Sequence, residues 1–118
     1  KLAGPSIGKD RIYCAEAGGV VGPYEKKMAD FRERFKKETG DDIKLYAPYV
    51  YDAVMVMVEA MKKANSTDPK KYLPELAKIQ YEGNIGPIAF DEKGDIKGGT
   101  LTLFTYRGDK RETLKVIQ

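Results

Sequence analysis

Ala53-Val54-Met55-Val56-Met57-Val58 sets six apolar residues in succession inside a segment that otherwise reads as a helix. That helix opens near Pro48, where a missing amide proton costs nothing, and Asn65-Ser66-Thr67 closes it. A helix carrying such a run is apolar almost all round, so it is expected to be buried on more than one side. Asp52, Glu59, Lys62 and Lys63 bracket the run and argue against a bilayer span. The remaining sequence must therefore be read for what could cover it.

Upstream, Arg11 to Ala15 has the β-branched and aromatic character of a short strand. Gly18-Gly19-Val20-Val21-Gly22-Pro23 follows as a flexible connection. Tyr24, Met28, Phe31 and Phe35 then recur at helical spacing up to Thr39, with Asp30 one turn before Arg34, Glu33 one turn before Lys37, and Gly40 as the stop. Ile43 to Tyr46 reads as a brief extended piece. Asp68-Pro69 is an N-cap and first-turn proline for a third helical stretch towards Ile79, with a kink or restart expected at Pro74. Beyond Tyr81 the pattern shortens: Ile88 to Phe90, a turn over Glu92-Lys93-Gly94-Asp95, and a strand from Thr100 to Tyr106 with Leu101, Leu103 and Thr105 on one face. A hairpin turn at Arg107-Gly108-Asp109-Lys110 and a return strand from Thr113 to Ile117 complete the order. A self-contained doubly wound domain needs several β-α alternations, and at most two are present. Lys1-Leu2-Ala3 before Gly4-Pro5 resembles a helix tail meeting its stop, which suggests a beginning inside something larger.

Composition narrows the chemistry. The 118 residues contain no His and one Cys. A Ser-His-Asp or Cys-His relay, a His-containing metal site and an intrachain disulfide are all excluded. The net charge of +3 is small and interspersed, so no nucleic-acid footprint arises. Apolar runs fall short of the roughly 20 residues a bilayer span requires, so no membrane insertion is expected.

Few motifs survive their simpler explanations. Gly18-Gly19-x-x-Gly22 lacks the order of a phosphate-binding loop and reads as a connector. The acids of Asp91-Glu92-Lys93-Gly94-Asp95 are out of register for calcium and suit a tight turn. Lys26 to Lys37 carries its own neutralising acids, which points to a solvated helix face. Cys14 reads as a small buried hydrophobe in a strand, and Met55, Met57 and Met61 are expected in the core. Tyr46, Tyr49 and Tyr51 stand apart. They lie where an extended segment enters a helix, a place where α/β folds collect ligands, and a phenol offers an apolar ring with one polar tip. The competing reading packs Tyr51 under the helix, with Tyr46 and Tyr49 over the core edge.

Leu45-Tyr46-Ala47-Pro48-Tyr49-Val50-Tyr51-Asp52-Ala53-Val54, followed by Gly86-Pro87-Ile88-Ala89-Phe90-Asp91-Glu92-Lys93-Gly94-Asp95, resembles the C-terminal portion of the branched-chain (leucine/isoleucine/valine) amino-acid periplasmic binding proteins. These are type I solute-binding proteins of ABC importers. The resemblance implies an α/β fold, part of a two-lobed protein with Rossmann-like lobes, ending in antiparallel strands. It assigns residues 1–17 to the C-terminal lobe and a crossing strand, 18–99 to the N-terminal lobe, and 100–118 to the return crossing and a C-terminal-lobe hairpin.

By the same resemblance, Tyr46 is the aromatic position that contacts or walls the bound amino acid, and Tyr49 is its neighbouring candidate. Hinge positions fall at Cys14, Ala15, Gly18, Thr100, Leu101 and Thr102. The implied partners are a small amino acid, an ABC permease, and either the remainder of the parent chain or a second copy. The implied location is the periplasm, with no cofactor, no metal and no catalytic residue. A ligand-sensing domain of the same fold in a receptor or regulator is the alternative.

Overall fold

The computed structural model describes residues 12–44, 46–108 and 110–117. The chain forms two compact units, one of Gly22–Lys97 and one joining the described residues up to Val21 with those from Gly98 onward.

Within Gly22–Lys97 the first element is helix α1, Pro23–Thr39. Pro23 starts it without losing a useful donor, and Gly40 stops it in the left-handed region (φ 79°), donating its N–H to the Lys36 carbonyl at 2.9 Å. Phe31 is buried, and Tyr24, Met28 and Phe35 are half-buried, so the anticipated apolar stripe faces inward. Phe31 packs against Tyr51 of the next helix, ring centroids 5.2 Å apart.

That helix is α2, Ala47–Lys63. It buries Pro48, Asp52, Val56 and Ala60, a single four-residue stripe. Helix α3 (Pro69–Ala77) and the hairpin of β2 (Tyr81–Glu82) and β3 (Pro87–Ile88) belong to the same unit. The core joins Val56 and Ala60 to Ile79 and Ile88, with Leu76, Tyr81, Ile85 and Phe90 around them. Burial on more than one side is therefore not what this chain provides. Val54 is 54% exposed and Met57 41% exposed, because the packing partners reach the stripe through Val56 and Ala60 and leave the rest of the run to solvent.

Three local expectations also shift. Ile43 and Lys44 form no strand. Tyr46 already has helical angles (φ −94°, ψ −11°), and its carbonyl accepts from Val50 N at 2.9 Å, so the chain winds directly into α2. Asp68 caps α3 as anticipated, its Oδ1 accepting from Lys70 N at 3.0 Å. The helix then runs through Pro74 without a restart and ends at Ala77, which frees Ile79 to enter the core.

Asp52 is the charged side chain of this core. It is fully buried (0% exposed); Asn84 Nδ2 donates to Oδ1 at 2.7 Å and Ile85 N donates to Oδ2 at 2.9 Å. Gly83 comes so close to the carboxylate that a Cβ would collide with it. The same loop is closed by Gly83 N donating to Gly86 O at 3.0 Å. Helix α1 meets this hairpin from outside: the Tyr24 hydroxyl donates to Glu82 Oε2 at 2.6 Å, and Lys27 Nζ to the Glu82 carbonyl at 3.3 Å.

The other unit is an antiparallel sheet of β1 (Tyr13–Ala17), β4 (Leu101–Arg107) and β5 (Lys110–Ile117), in the order β1-β4-β5. The first strand runs two residues later than the sequence suggested. Arg11, the residues from Lys1 to Pro5 and Asp109 of the hairpin turn lie outside the described residues. Leu101 is exposed, contrary to the expected apolar face, while Thr102 and Thr105 are buried. Both threonines find acceptors: Thr102 Oγ1 donates to Gly18 O at 2.6 Å and Thr105 Oγ1 to Ile12 O at 3.0 Å. A register shift beside Leu103/Phe104 leaves Leu114 as the extra residue on β5.

The glycine connection is less free than its composition suggested. Gly18 N donates to Thr100 O at 2.7 Å, and Thr100 Oγ1 donates to Gly19 O at 2.9 Å. Gly19 (φ 129°) lies where a Cβ would meet both Thr102 Oγ1 and Val116.

Two outcomes follow from these contacts. Asp52→Ala should cost about 2–4 kcal/mol, because the Asn84 amide and the Ile85 N–H lose a buried acceptor; the urea midpoint should fall at unchanged slope. The hydrogen bond to Glu82, with desolvation and the carboxylate's charge adding to it, raises the Tyr24 phenol above its ordinary value of 10.0. Folding favours the protonated phenol, so this contribution is complete below the ordinary tyrosine range and is lost as pH rises through the raised value. Burial raises the Tyr81 phenol as well, so phenolate absorbance should show two late-titrating tyrosines, one of which Tyr24→Phe removes and Glu82→Gln returns towards the ordinary range.

Candidate functional site

Tyr46 stands at the entrance to α2 with 71% of its surface exposed. Its ring helps line an open cleft of about 700 Å³ between α1 and the start of α2, with Phe31, Phe35, Val50 and Tyr51 as the other large apolar walls. Arg34 and Glu38 of α1 bring one charge of each sign to the lining. Five aromatic or branched walls, two of them tyrosines, suit a small molecule with an apolar part and a polar end.

The tyrosines separate in role. Tyr51 belongs to the wall, 42% exposed, with its ring tilted 60° against Phe31, so it is not packed away under the helix. Tyr46 lines the cleft while leaving most of its ring open. Tyr49 is half-buried and is not part of the cleft lining.

The residues singled out as hinge positions lie side by side in the sheet unit. Cys14 is paired with Phe104, Ala15 with Leu103, and Leu101 with Ala17, while Gly18 is bonded to both Thr100 and Thr102. Two backbone segments that are more than eighty residues apart in sequence are thus stitched into one antiparallel pair.

Other motifs are used up by the fold. Asp91 Oδ1 accepts from Lys93 N and Asp95 N, both at 2.9 Å, and Gly94 takes a φ of 86°, so the acidic loop is a closed turn. No cluster of three or more potential metal ligands occurs among the described residues. The Gly18 amide is spent on Thr100 and offers nothing to a phosphate. No helix among the described residues is long and apolar enough to cross a membrane.

Sequence reasoning missed two clusters. In sequence Asp52 brackets the apolar run, and the four-residue spacing Asp52, Val56, Ala60 is the available signal that it shares their buried stripe. In the sheet unit, Arg111 of β5 lies over the Phe104 ring, 4.2 Å from its centroid, and donates from NH1 to Glu16 Oε1 of β1 at 2.8 Å. Only the strand order puts these three residues on one face.

Comparison with known proteins agrees with this architecture. Residues 9–111 match the model of the periplasmic binding protein family. The leucine-, isoleucine-, valine-, threonine- and alanine-binding protein of Pseudomonas aeruginosa is 31% identical over 77% of this chain and 24% of its own length. The chain spans about a quarter of the curated relatives it matches. Among solved structures, a leucine-binding protein of Thermotoga maritima superposes with a TM-score of 0.75 at 23% identity, covering 99% of this chain and 33% of the other, a likeness of fold. An ABC transporter substrate-binding protein of Desulfitobacterium hafniense, solved with leucine, gives a TM-score of 0.70 at 29% identity, covering 86% and 30%. The fold is thus that of part of a type I periplasmic binding protein, and the chain belongs to the periplasmic binding protein family.

Proposed function

We propose that this chain is the C-terminal portion of an extracytoplasmic solute-binding protein that captures a branched-chain amino acid between two lobes and delivers it to an ABC permease. The observation that carries the reading is Tyr46: a large aromatic ring left 71% exposed over an apolar cleft, in a chain similar to proteins named for binding leucine and its relatives. Capture makes and breaks no covalent bond. The lobes close by hinge bending, and the permease recognises the closed form.

In this reading residues 18–99 belong to one lobe, and residues 1–17 and 100–118 belong to the other and to the crossings between them. The hinge runs through the paired crossings at Cys14, Ala15, Gly18, Thr100, Leu101 and Thr102. Tyr46 walls the apolar side chain of the ligand, and Tyr49 beside it supports that wall. The uncovered stripe of Val50, Val54, Met57 and Val58 on α2 supports the view that further parent chain packs there.

Calorimetry of the full-length protein against leucine, isoleucine, valine, alanine and threonine is the direct test. Saturable binding is expected, and Tyr46→Ala should weaken it about ten-fold or more. The same substitution should change stability by no more than about 0.5 kcal/mol, because an exposed ring contributes little to folding. Unchanged affinity for every ligand would remove Tyr46 from the site, and absence of binding across the panel would overturn the ligand class.

The 118-residue chain taken alone is expected to associate in light scattering through the α2 stripe and the open edges of β1 and β5. A monodisperse monomer that unfolds cooperatively would show that those surfaces require no cover.

A further inference from the structure

We propose that the cleft between α1 and α2 is an aromatic subsite, which extends the ligand class from branched side chains to planar rings and ranks phenylalanine above leucine. The proposal rests on the reading of this chain as part of an amino-acid binder and names the side-chain class that its own walls select.

Three rings in mutual contact form the apolar heart of the cleft. Phe31 is its buried member, 5% exposed. Phe35, from the same helix, packs on Phe31 with centroids 6.1 Å apart and planes at 36°, and Tyr51, from α2, packs on it at 5.2 Å and 60°. Because these planes are not parallel, the walls offer a guest both ring faces and ring edges. Tyr46 adds a fourth ring with most of its surface open. An aromatic guest can take up the offset-stacked and edge-to-face contacts that ring quadrupoles favour, a gain beyond the area it buries. A branched aliphatic guest gains the area alone.

The aliphatic share of the lining is small. Val50 is its branched aliphatic member, and Ala47 adds one methyl group. A volume of about 700 Å³ lies within the range of sites that enclose whole ring-bearing ligands. A phenyl ring has room to settle among the four rings. An isobutyl group would leave more of the space to water and would meet few walls shaped to its branches.

The charged part of the lining suits the same guest. Arg34 and Glu38 stand one turn apart on α1, and neither enters an ion pair among the described residues. The pairing of Arg34 with Asp30 that helical spacing allows is not made among them either. A guanidinium committed to no carboxylate is available to lie over a ring in the cleft. Its planar, weakly hydrated fork stacks on aromatic faces better than an ammonium does, which makes Arg34 a specificity-determining residue for a ring-bearing ligand.

Calorimetry of the full-length protein with phenylalanine, leucine and cyclohexylalanine tests this, since cyclohexylalanine keeps the size of phenylalanine and lacks its π-face. Phenylalanine should bind about five-fold tighter than leucine and about three-fold tighter than cyclohexylalanine, although cyclohexylalanine is the more apolar of the two ring compounds. Phe35→Leu should lower the ratio of phenylalanine to leucine affinity about five-fold. Arg34→Met should lower it about three-fold, with Arg34→Lys between that variant and the parent. Should Phe35→Leu fail to fold, the three ligands on the parent protein decide by themselves. Cyclohexylalanine bound as tightly as phenylalanine would mean that the cleft measures size alone, and leucine bound as tightly would mean that the rings select nothing. Either outcome overturns the aromatic subsite and leaves amino-acid capture standing. Capture itself falls only if no amino acid is bound at all, and the subsite then falls with it.

Discussion

The buried carboxylate of Asp52 fixes how the helical unit is assembled. A charged group with no exposed surface is costly unless its lone pairs are taken up, and here the Asn84 amide and the Ile85 N–H approach its two oxygens. Those donors sit in the short loop joining β2 to β3, so satisfying the carboxylate places the hairpin against α2. Gly83 completes the arrangement by presenting no side chain at the point of closest approach. Once the hairpin is seated, Ile88 and Ile79 reach Val56 and Ala60, and the small core closes around them. Apolar packing supplies much of the stabilisation, but it has no direction of its own. The hydrogen-bonded carboxylate supplies the register.

The sheet unit solves a related problem with hydroxyls. Thr102 and Thr105 lie on opposite faces of the central strand, and each is buried with its hydroxyl donating to a backbone carbonyl. One of those carbonyls belongs to Gly18, just beyond the end of β1, which carries the pairing further than the ladder itself. A valine at either position would fill similar space and leave the carbonyl without its donor. The pattern that reads as a modest polar strand is therefore what joins two distant stretches of chain.

Much of this was legible because it depends on local chemistry. The α1 stripe of Tyr24, Met28, Phe31 and Phe35, the Gly40 stop, the Asp68 cap and the Asp91–Asp95 turn all follow from residue spacing and short-range hydrogen bonds. The misreadings share a different cause. Ile43 to Tyr46 looked extended because of its β-branched and aromatic residues, but the Tyr46 carbonyl is recruited into the first turn of α2. The alternation Leu101, Leu103, Thr105 suggested an apolar inner face, whereas the strand lies between two others and buries hydroxyls instead. Asp52 and the Glu16–Phe104–Arg111 contact require knowing which distant elements become neighbours. For Tyr46, chemistry and position were visible in the sequence; the cleft beneath it depends on α1 crossing close to the start of α2.

The exposed part of α2 differs in kind from that of its neighbour α1. Fully burying a valine or methionine side chain stabilises a protein by about 1.5–3 kcal/mol. Val50, Val54, Met57 and Val58 each keep a substantial part of that contribution unrealised, since the local packing reaches the helix mainly through Val56 and Ala60. An ordinary surface helix would place charged or polar residues along this face, as α1 does with its lysines, arginines and acids. The contrast between neighbouring helices of one unit distinguishes two kinds of exposure. On α1 the exposed residues are polar and match water. On α2 they are apolar and match another protein layer.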